Sequence, residues 1–338
     1  MLGIREAGIL DIITWYAINL KFQSTMHKIY KLIFCLVLTS IISLNLRGQE
    51  SREDGMHVIT DDQIKLYTKR SGNGPTAIFI HGGPGAWSKS FEVLRGENLE
   101  SHLSMIYYDQ RGCGRSSGSE SDNYSLVRMV KDIELIRQSY NADSIYLIAH
   151  SFGGILAVNY ALRYPSHVKG IILANSTLDI LYSIQNQIHY MNSLLKTDYR
   201  ATDSSQIIPT FKKVQSEVAK AGLIYKLLSD NKNNIDLLHK VDKQNPSEFA
   251  FARKALTIGD YLKDYSKITN QINLPVLIII GMKDHAIGEK HFESFNFPNQ
   301  TIKKINGGHL LYYEKNEDFI SAILKYIRQR EGTSANDG

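Results

Sequence analysis

From residue 57 onward the chain alternates between short runs rich in β-branched and aromatic residues and longer stretches whose apolar positions recur at helical spacing. Residues 57–60 and 64–69 predict an opening hairpin. Residues 76–80, 105–108, 145–149, 170–174 and 276–280 predict buried strands, with 301–305 as a further one. The runs at 145–149, 170–174 and 276–280 are nearly continuous in apolar side chains, as strands covered by helices on both faces must be. Between them Val127, Val130, Ile133 and Ile136 fall on one helical stripe within 126–140, a second stripe runs from Phe152 to Tyr164 and stops at Pro165, and 316–328 predicts another helix. This alternation implies an α/β fold with a mostly parallel, doubly wound sheet.

The strand signal stops from Leu181 to Asn273, where breaks at Pro209, Gly222 and Pro246 separate successive helical patterns, and resumes at Leu274-Pro275-Val276. A core completed on both sides of a helical block reads as one domain carrying an inserted cap. The expected organisation is therefore a leader over 1–48, an α/β core over 49–180 and 274–330, a helical cap over 181–273, and a tail over 331–338.

The leader follows from a basic start, Met26-His27-Lys28-Ile29-Tyr30-Lys31, and the uncharged, mostly apolar stretch 32–46 after it. That is the layout of a secretory signal, and it is shorter than the roughly 20 apolar residues a bilayer span needs. Cleavage near Gly48-Gln49, a true start at Met26, and a periplasmic or extracellular mature chain without stable membrane insertion are expected; the alternative is an uncleaved N-terminal anchor. Cys35 lies within this segment, so the mature chain keeps Cys113 alone and forms no internal disulfide. The 338 residues are 43% apolar and 22% charged, an ordinary globular composition. Residues 1–48 hold Arg5, Lys21, Lys28, Lys31 and Arg47 against Glu6 and Asp11, so most of the net charge of +5 leaves with them, and no clustered basic surface speaks for a nucleic-acid partner.

Two short motifs carry the candidate chemistry. Ala149-His150-Ser151-Phe152-Gly153-Gly154 joins an apolar strand to a helix, the context a nucleophile elbow needs, with small residues where strand and helix approach closely. Helix capping by Ser151 is the plainer alternative, and it leaves the glycines unexplained. His81-Gly82-Gly83-Pro84-Gly85 follows the strand at 76–80, and its glycines let backbone approach a substrate. The N–H groups of Gly83 and Phe152 are the expected oxyanion donors. Asp284 lies just past the strand at 276–280 and His309 after the strand at 301–305, in the chain order Ser, Asp, His that this kind of sheet uses. Asp284 would orient the imidazole and His309 would take the Ser151 proton. His81 and His150 read as structural, and His285 adjoins the acid too closely to bridge it to Ser151. Asp109 and Arg111 read as a buried ion pair bracing the loops. No His or Cys stands at metal-ligand spacing, and no cofactor is expected.

Residues 81–85, 109–116 and 149–154 together resemble the proline iminopeptidase family of serine peptidases within the α/β-hydrolase superfamily. The resemblance covers about 57–176 and 274–328. It implies hydrolysis of an N-terminal residue, often proline, from short peptides, with Ser151, Asp284 and His309 as the triad and no cofactor. In that family acidic residues of a tryptophan-rich cap segment hold the substrate amine. Here the two tryptophans are Trp15 and Trp87, outside the cap, and Glu217 and Glu248 are the candidates for the amine, with solvated helix charges as the alternative. The leading expectation is a serine hydrolase acting on a small peptide. A carboxylesterase using the same triad and a non-catalytic binding protein are the competing readings.

Overall fold

The computed structural model describes residues 55–247 and 249–332. The expected leader, the end of the tail and Glu248 lie outside the described residues. Eight strands form one sheet in the order β1-β2-β4-β3-β5-β6-β7-β8. They are β1 (Met56–Ile59), β2 (Lys65–Ser71), β3 (Thr76–Ile80), β4 (Ser104–Tyr108), β5 (Ile145–Ser151), β6 (Val168–Ser176), β7 (Val276–Gly281) and β8 (Gln300–Ile305). The hairpin β1–β2 and the β2–β4 pair are antiparallel, and every other neighbouring pair is parallel. The predicted α/β fold is the one observed.

Alternation along the central strands creates two cores. Ile78, Ile80, Leu147 and Ala149 pack with α2 (Leu126–Ser139) and α3 (Gly153–Arg163) on one face. Ala77, Phe79, Tyr146 and Ile148 pack on the other face with Phe91 of α1 (Ser88–Val93) and with Phe319 and Ile323 of a C-terminal helix, Asn316–Arg328. One detail of the predicted stripe differs: Val127 is exposed, and Met129 joins Val130, Ile133 and Ile136 in the core. Helix α2 turns about 100° per residue, so 126, 129, 130, 133 and 136 share a face that 127 leaves.

Between β6 and β7 the described residues form α4 (Ile180–Leu195), α5 (Ile207–Lys220), α6 (Lys232–Asp242), α7 (Ala250–Ala255) and short 3₁₀ turns, with no strand among them. This helical segment is fastened to the ends of the sheet by specific bonds. Gln187 Nε2 donates to Ala286 O at 2.6 Å, Ser183 Oγ to Ile287 O at 3.3 Å, and the His309 N–H to Leu228 O at 2.9 Å. After β8 come α8 (Leu311–Glu314) and α9 (Asn316–Arg328). No helix of the described residues is long and apolar enough to cross a membrane.

Candidate active site

Strand β5 leaves its ladder with β6 through a register shift between His150 and Ser151, and Ser151 takes φ +55°. A left-handed backbone at a non-glycine residue costs roughly 1–2 kcal/mol and survives only where packing imposes it. Here the imposing contact is the entry of α3: a Cβ at Gly153 would lie 2.3 Å from the Ile80 carbonyl oxygen. Only glycine lets the helix start so close to β3, and the turn throws Ser151 to the carboxyl edge of the sheet.

The loop after β3 packs straight onto this turn, because a Cβ at Gly82 would come within 2.7 Å of Ser151 Cβ. His81 fixes the loop: its Nε2 accepts the Gln110 N–H at 2.9 Å, which places the proton on Nδ1, and Nδ1 donates to Gly82 O at 2.9 Å. Burial pushes the His81 pKa below its usual value, keeping the ring neutral in this role. The N–H groups of Gly83 and Phe152 make no hydrogen bond to protein groups among the described residues. Both residues border one cavity of about 470 Å³ together with Ser151 and His309.

Asp284 is fully buried past the end of β7. Its Oδ1 accepts from the N–H groups of Ala286 and Ile287 at 2.9 and 3.1 Å, and Oδ2 accepts from His309 Nδ1 at 2.7 Å. Burial by itself would raise the Asp284 pKa, but the charge and hydrogen bond of His309, helped by the Ile287 N–H, hold it below the usual carboxylate value. With the proton on Nδ1, the His309 Nε2 is left as an acceptor. Among the described residues no hydrogen bond joins Ser151 Oγ to His309 Nε2, and both side chains line the same cavity.

His150 sits between these groups. Its ring lies 4.6 Å from that of His309, its Nε2 donates to His309 O at 3.0 Å, and burial with the neighbouring imidazole pushes its pKa down to about 3. Sequence reasoning left it as structural without finding this grip on the His309 loop. His285 instead stacks on Tyr190 of α4 at 3.6 Å between ring centres. Asp109 and Arg111 do not pair with each other. Asp109 holds Arg115 at 2.7 Å and Ser88 through N–H and Oγ at 2.8 and 2.7 Å, while Arg111 binds Asp132 at 2.6 Å and Asp62 at 2.8 Å. Each therefore braces a different neighbour.

The cavity walls are mostly apolar, with Ile180, Ile184, Phe211, Leu227 and Leu256 contributed by the helical segment. Glu217 is not among the lining residues; α5 turns it to Tyr199, whose hydroxyl donates to both carboxylate oxygens at 2.8 and 2.9 Å. Asp242, at the end of α6, is the one carboxylate that lines the cavity among the described residues. Its Oδ1 accepts from Trp87 Nε1 at 2.9 Å and from Ser90 Oγ at 2.7 Å, and no described residue donates to Oδ2. The tryptophan comes from the core loop, not from the helical segment. Nothing in the sequence around Asp242 distinguishes it from an ordinary helix charge. No group of three or more His, Cys, Asp or Glu able to hold a metal occurs among the described residues.

A left-handed serine elbow, paired backbone donors and a carboxylate-bound histidine at the carboxyl edge of a parallel sheet define a hydrolase. The sequence pattern of the alpha/beta hydrolase fold family matches residues 75–316, and the chain belongs to that family. Within that family it is similar to proline iminopeptidases: it is 24% identical over 299 residues to a proline iminopeptidase of Saccharolobus solfataricus, covering 85% of this chain and 94% of the relative. To a proline iminopeptidase of Chitinophaga pinensis it is 27% identical over 300 residues, covering 81% of this chain and 97% of the relative. Among solved structures, a proline iminopeptidase-related protein of Thermus thermophilus superposes with TM-score 0.66 at 20% identity, over 84% of this chain and all of the other. An esterase of Exiguobacterium antarcticum superposes with TM-score 0.62 at 20% identity, over 81% of this chain and 99% of the other. At these identities the structural likenesses establish the fold.

Proposed function

We propose that the chain is a serine aminopeptidase that releases the N-terminal residue of short peptides through an acyl-enzyme on Ser151. His309 Nε2 takes the proton from Ser151 Oγ, and Oγ bonds to the scissile carbonyl carbon. The N–H groups of Gly83 and Phe152 receive the oxygen that becomes negative. Collapse of this intermediate breaks the C–N bond as His309 passes its proton to the leaving amine. Water, deprotonated by the same imidazole, then frees the acyl group. Asp284 stays ionised throughout, stabilising the imidazolium.

The observation that carries the reading is the joint opening of Ser151 and His309 onto a cavity whose lining holds Asp242 and no lysine or arginine among the described residues. A substrate's N-terminal ammonium suits Asp242 Oδ2, with Oδ1 already fixed by Trp87 and Ser90. The helical segment thus serves as the cap that selects the substrate, with Asp242 rather than Glu217 facing the cavity. The curated relatives named proline iminopeptidase support the same class.

The apolar walls favour a second reading, a carboxylesterase for small acyl esters. Turnover of free and N-blocked aminoacyl amides, measured against short acyl esters, decides between them. Cleavage of the free-amine amides and rejection of the blocked ones is expected; cleavage of esters alone would replace the peptidase reading. Export to the periplasm or medium rests on the pattern at 26–46 and is checked by fractionating cells that express the full chain.

A further inference from the structure

Past the end of β7 and the loop that carries His309, one buried side chain bonds to both. Asn175, next to last in β6 and 1% exposed, accepts the Gly281 N–H on Oδ1 at 2.6 Å. Its Nδ2 donates to Gly308 O at 2.9 Å and to His309 O at 3.0 Å. Gly281 ends the strand that leads to Asp284, and Gly308 and His309 form the base loop. The two segments meet so closely that a Cβ at Gly281 would lie 2.3 Å from Gly308 O.

We infer that Asn175 is a positioning residue for the catalytic pair, setting the separation of the Asp284 and His309 loops through one amide. The inference rests on the hydrolase reading above, with His309 as the base. The orientation of the amide is determined by its partners: a flip would set Oδ1 against two carbonyl oxygens and the NH₂ against an N–H. No other residue type of this length presents one acceptor and two donors at once. An aspartate keeps the acceptor but turns a carboxylate oxygen on Gly308 O and His309 O. A leucine leaves the Gly281 N–H and the Gly308 carbonyl without this partner and takes from His309 O one of its two donors, the other being His150 Nε2. Asn175 also holds φ +43°, a conformation that asparagine tolerates better than most residues. Its place at a strand end, in Ala174-Asn175-Ser176, explains how the strand delivers it to both loops.

The test uses Asn175→Gly, which accepts the left-handed backbone and removes all three hydrogen bonds, beside Asn175→Asp, which keeps the volume and the Gly281 acceptor. Displacement of a catalytic group by about 1 Å costs on the order of 100-fold, so kcat is expected to fall about 10- to 100-fold in both variants, with KM within about threefold of the parent. The low-field proton resonance of the His309 Nδ1–H is expected to broaden or move, and circular dichroism to stay that of the parent. A kcat within about twofold of the parent in either folded variant overturns the inference, as does a lost kcat with that resonance unchanged. Ser151→Ala run in parallel separates the two levels. A dead Ser151→Ala with an active Asn175→Gly defeats only the role of Asn175, whereas an active Ser151→Ala defeats the hydrolase reading beneath it.

Discussion

The carboxyl edge of the sheet and the helical segment between β6 and β7 face the same cavity, yet they are built on different terms. At the edge nearly every polar group is buried and multiply bonded. Asp284 takes three donors, Asn175 spans two loops, and His81 and Gln110 lock one turn to another. The helical segment gives the cavity apolar side chains and a few polar ones, such as Gln187 and Asp242, each held by one or two bonds. In the reading proposed here, the edge would set what reaction is possible and the segment which molecule undergoes it.

The sharpest way to break that division is at the nucleophile. Ser151→Ala should lower kcat by on the order of a thousandfold or more on every substrate class, with Tm within a few degrees of the parent. Steady-state assays and labelling by a fluorophosphonate probe read the loss, thermal unfolding reads the fold, and residual turnover like the parent's would mean that another residue attacks. At the segment the effect should be selective. Asp242→Asn should cut kcat/KM by about 10- to 100-fold for free-amine aminoacyl amides, the range expected from losing a charge-assisted hydrogen bond, and by less than about threefold for acyl esters. Glu217→Gln, whose parent carboxylate faces Tyr199, should leave both substrate classes near the parent. Equal losses on both classes in Asp242→Asn would erase the distinction between the two regions.

The same contrast governs what could be read in advance. The fold class was legible because strands buried on both faces are nearly continuous apolar runs, and the predicted 76–80 and 316–328 coincide with β3 and α9. Ser151, Asp284 and His309 stood out because tight turns at strand ends demand glycine and small residues at fixed offsets, which leaves a local signature. Asp284 and His309 meet although 25 residues separate them. Asp242 left no signature: an acid at the end of a helix reads like solvated charge until Trp87, 155 residues earlier in the chain, is seen to bond it. Asn175 left no signature either: it lies just past the predicted run 170–174, in a strand that continues to Ser176. Asp109 and Arg111 showed that charge in a motif predicts burial and pairing better than it predicts the partner.

A third test probes the rigidity of the edge through stability rather than turnover. Gly153→Ala forces a methyl to within 2.3 Å of the Ile80 carbonyl oxygen, backbone against backbone, with no flexible side chain to yield. Overpacking of this kind costs about 1–3 kcal/mol, and Tm should fall by several degrees in a chain of this size. An alanine at Gly222, in the helical segment, meets nothing within 4 Å and carries only the strain of φ +72°. It should cost less, and its ester kinetics should match the parent's.

The smallest effect concerns the protons the edge refuses to bind. Burial holds the pKa of His150 at about 3, against about 6.5 for an exposed imidazole. Between those values the unfolded chain takes up a proton that the folded chain does not, so unfolding is favoured by acid and stability rises with pH across the window. The contribution is fully present above the unfolded value and is lost progressively as pH falls toward the folded one. The buried His81 and His291, also held below the usual histidine value by burial, act with the same sign, as does Asp284 at still lower pH. From about pH 7 to about pH 5.5 the share of His150 alone is about 1 kcal/mol, or roughly 3 °C in Tm. His150→Gln, which keeps a donor for His309 O and cannot be protonated, should therefore show a Tm less sensitive to acid by about that amount, whatever its Tm at neutral pH. Scanning calorimetry of both proteins over this range measures the difference directly, and parallel curves would mean that His150 takes up its proton alike in the folded and unfolded chain.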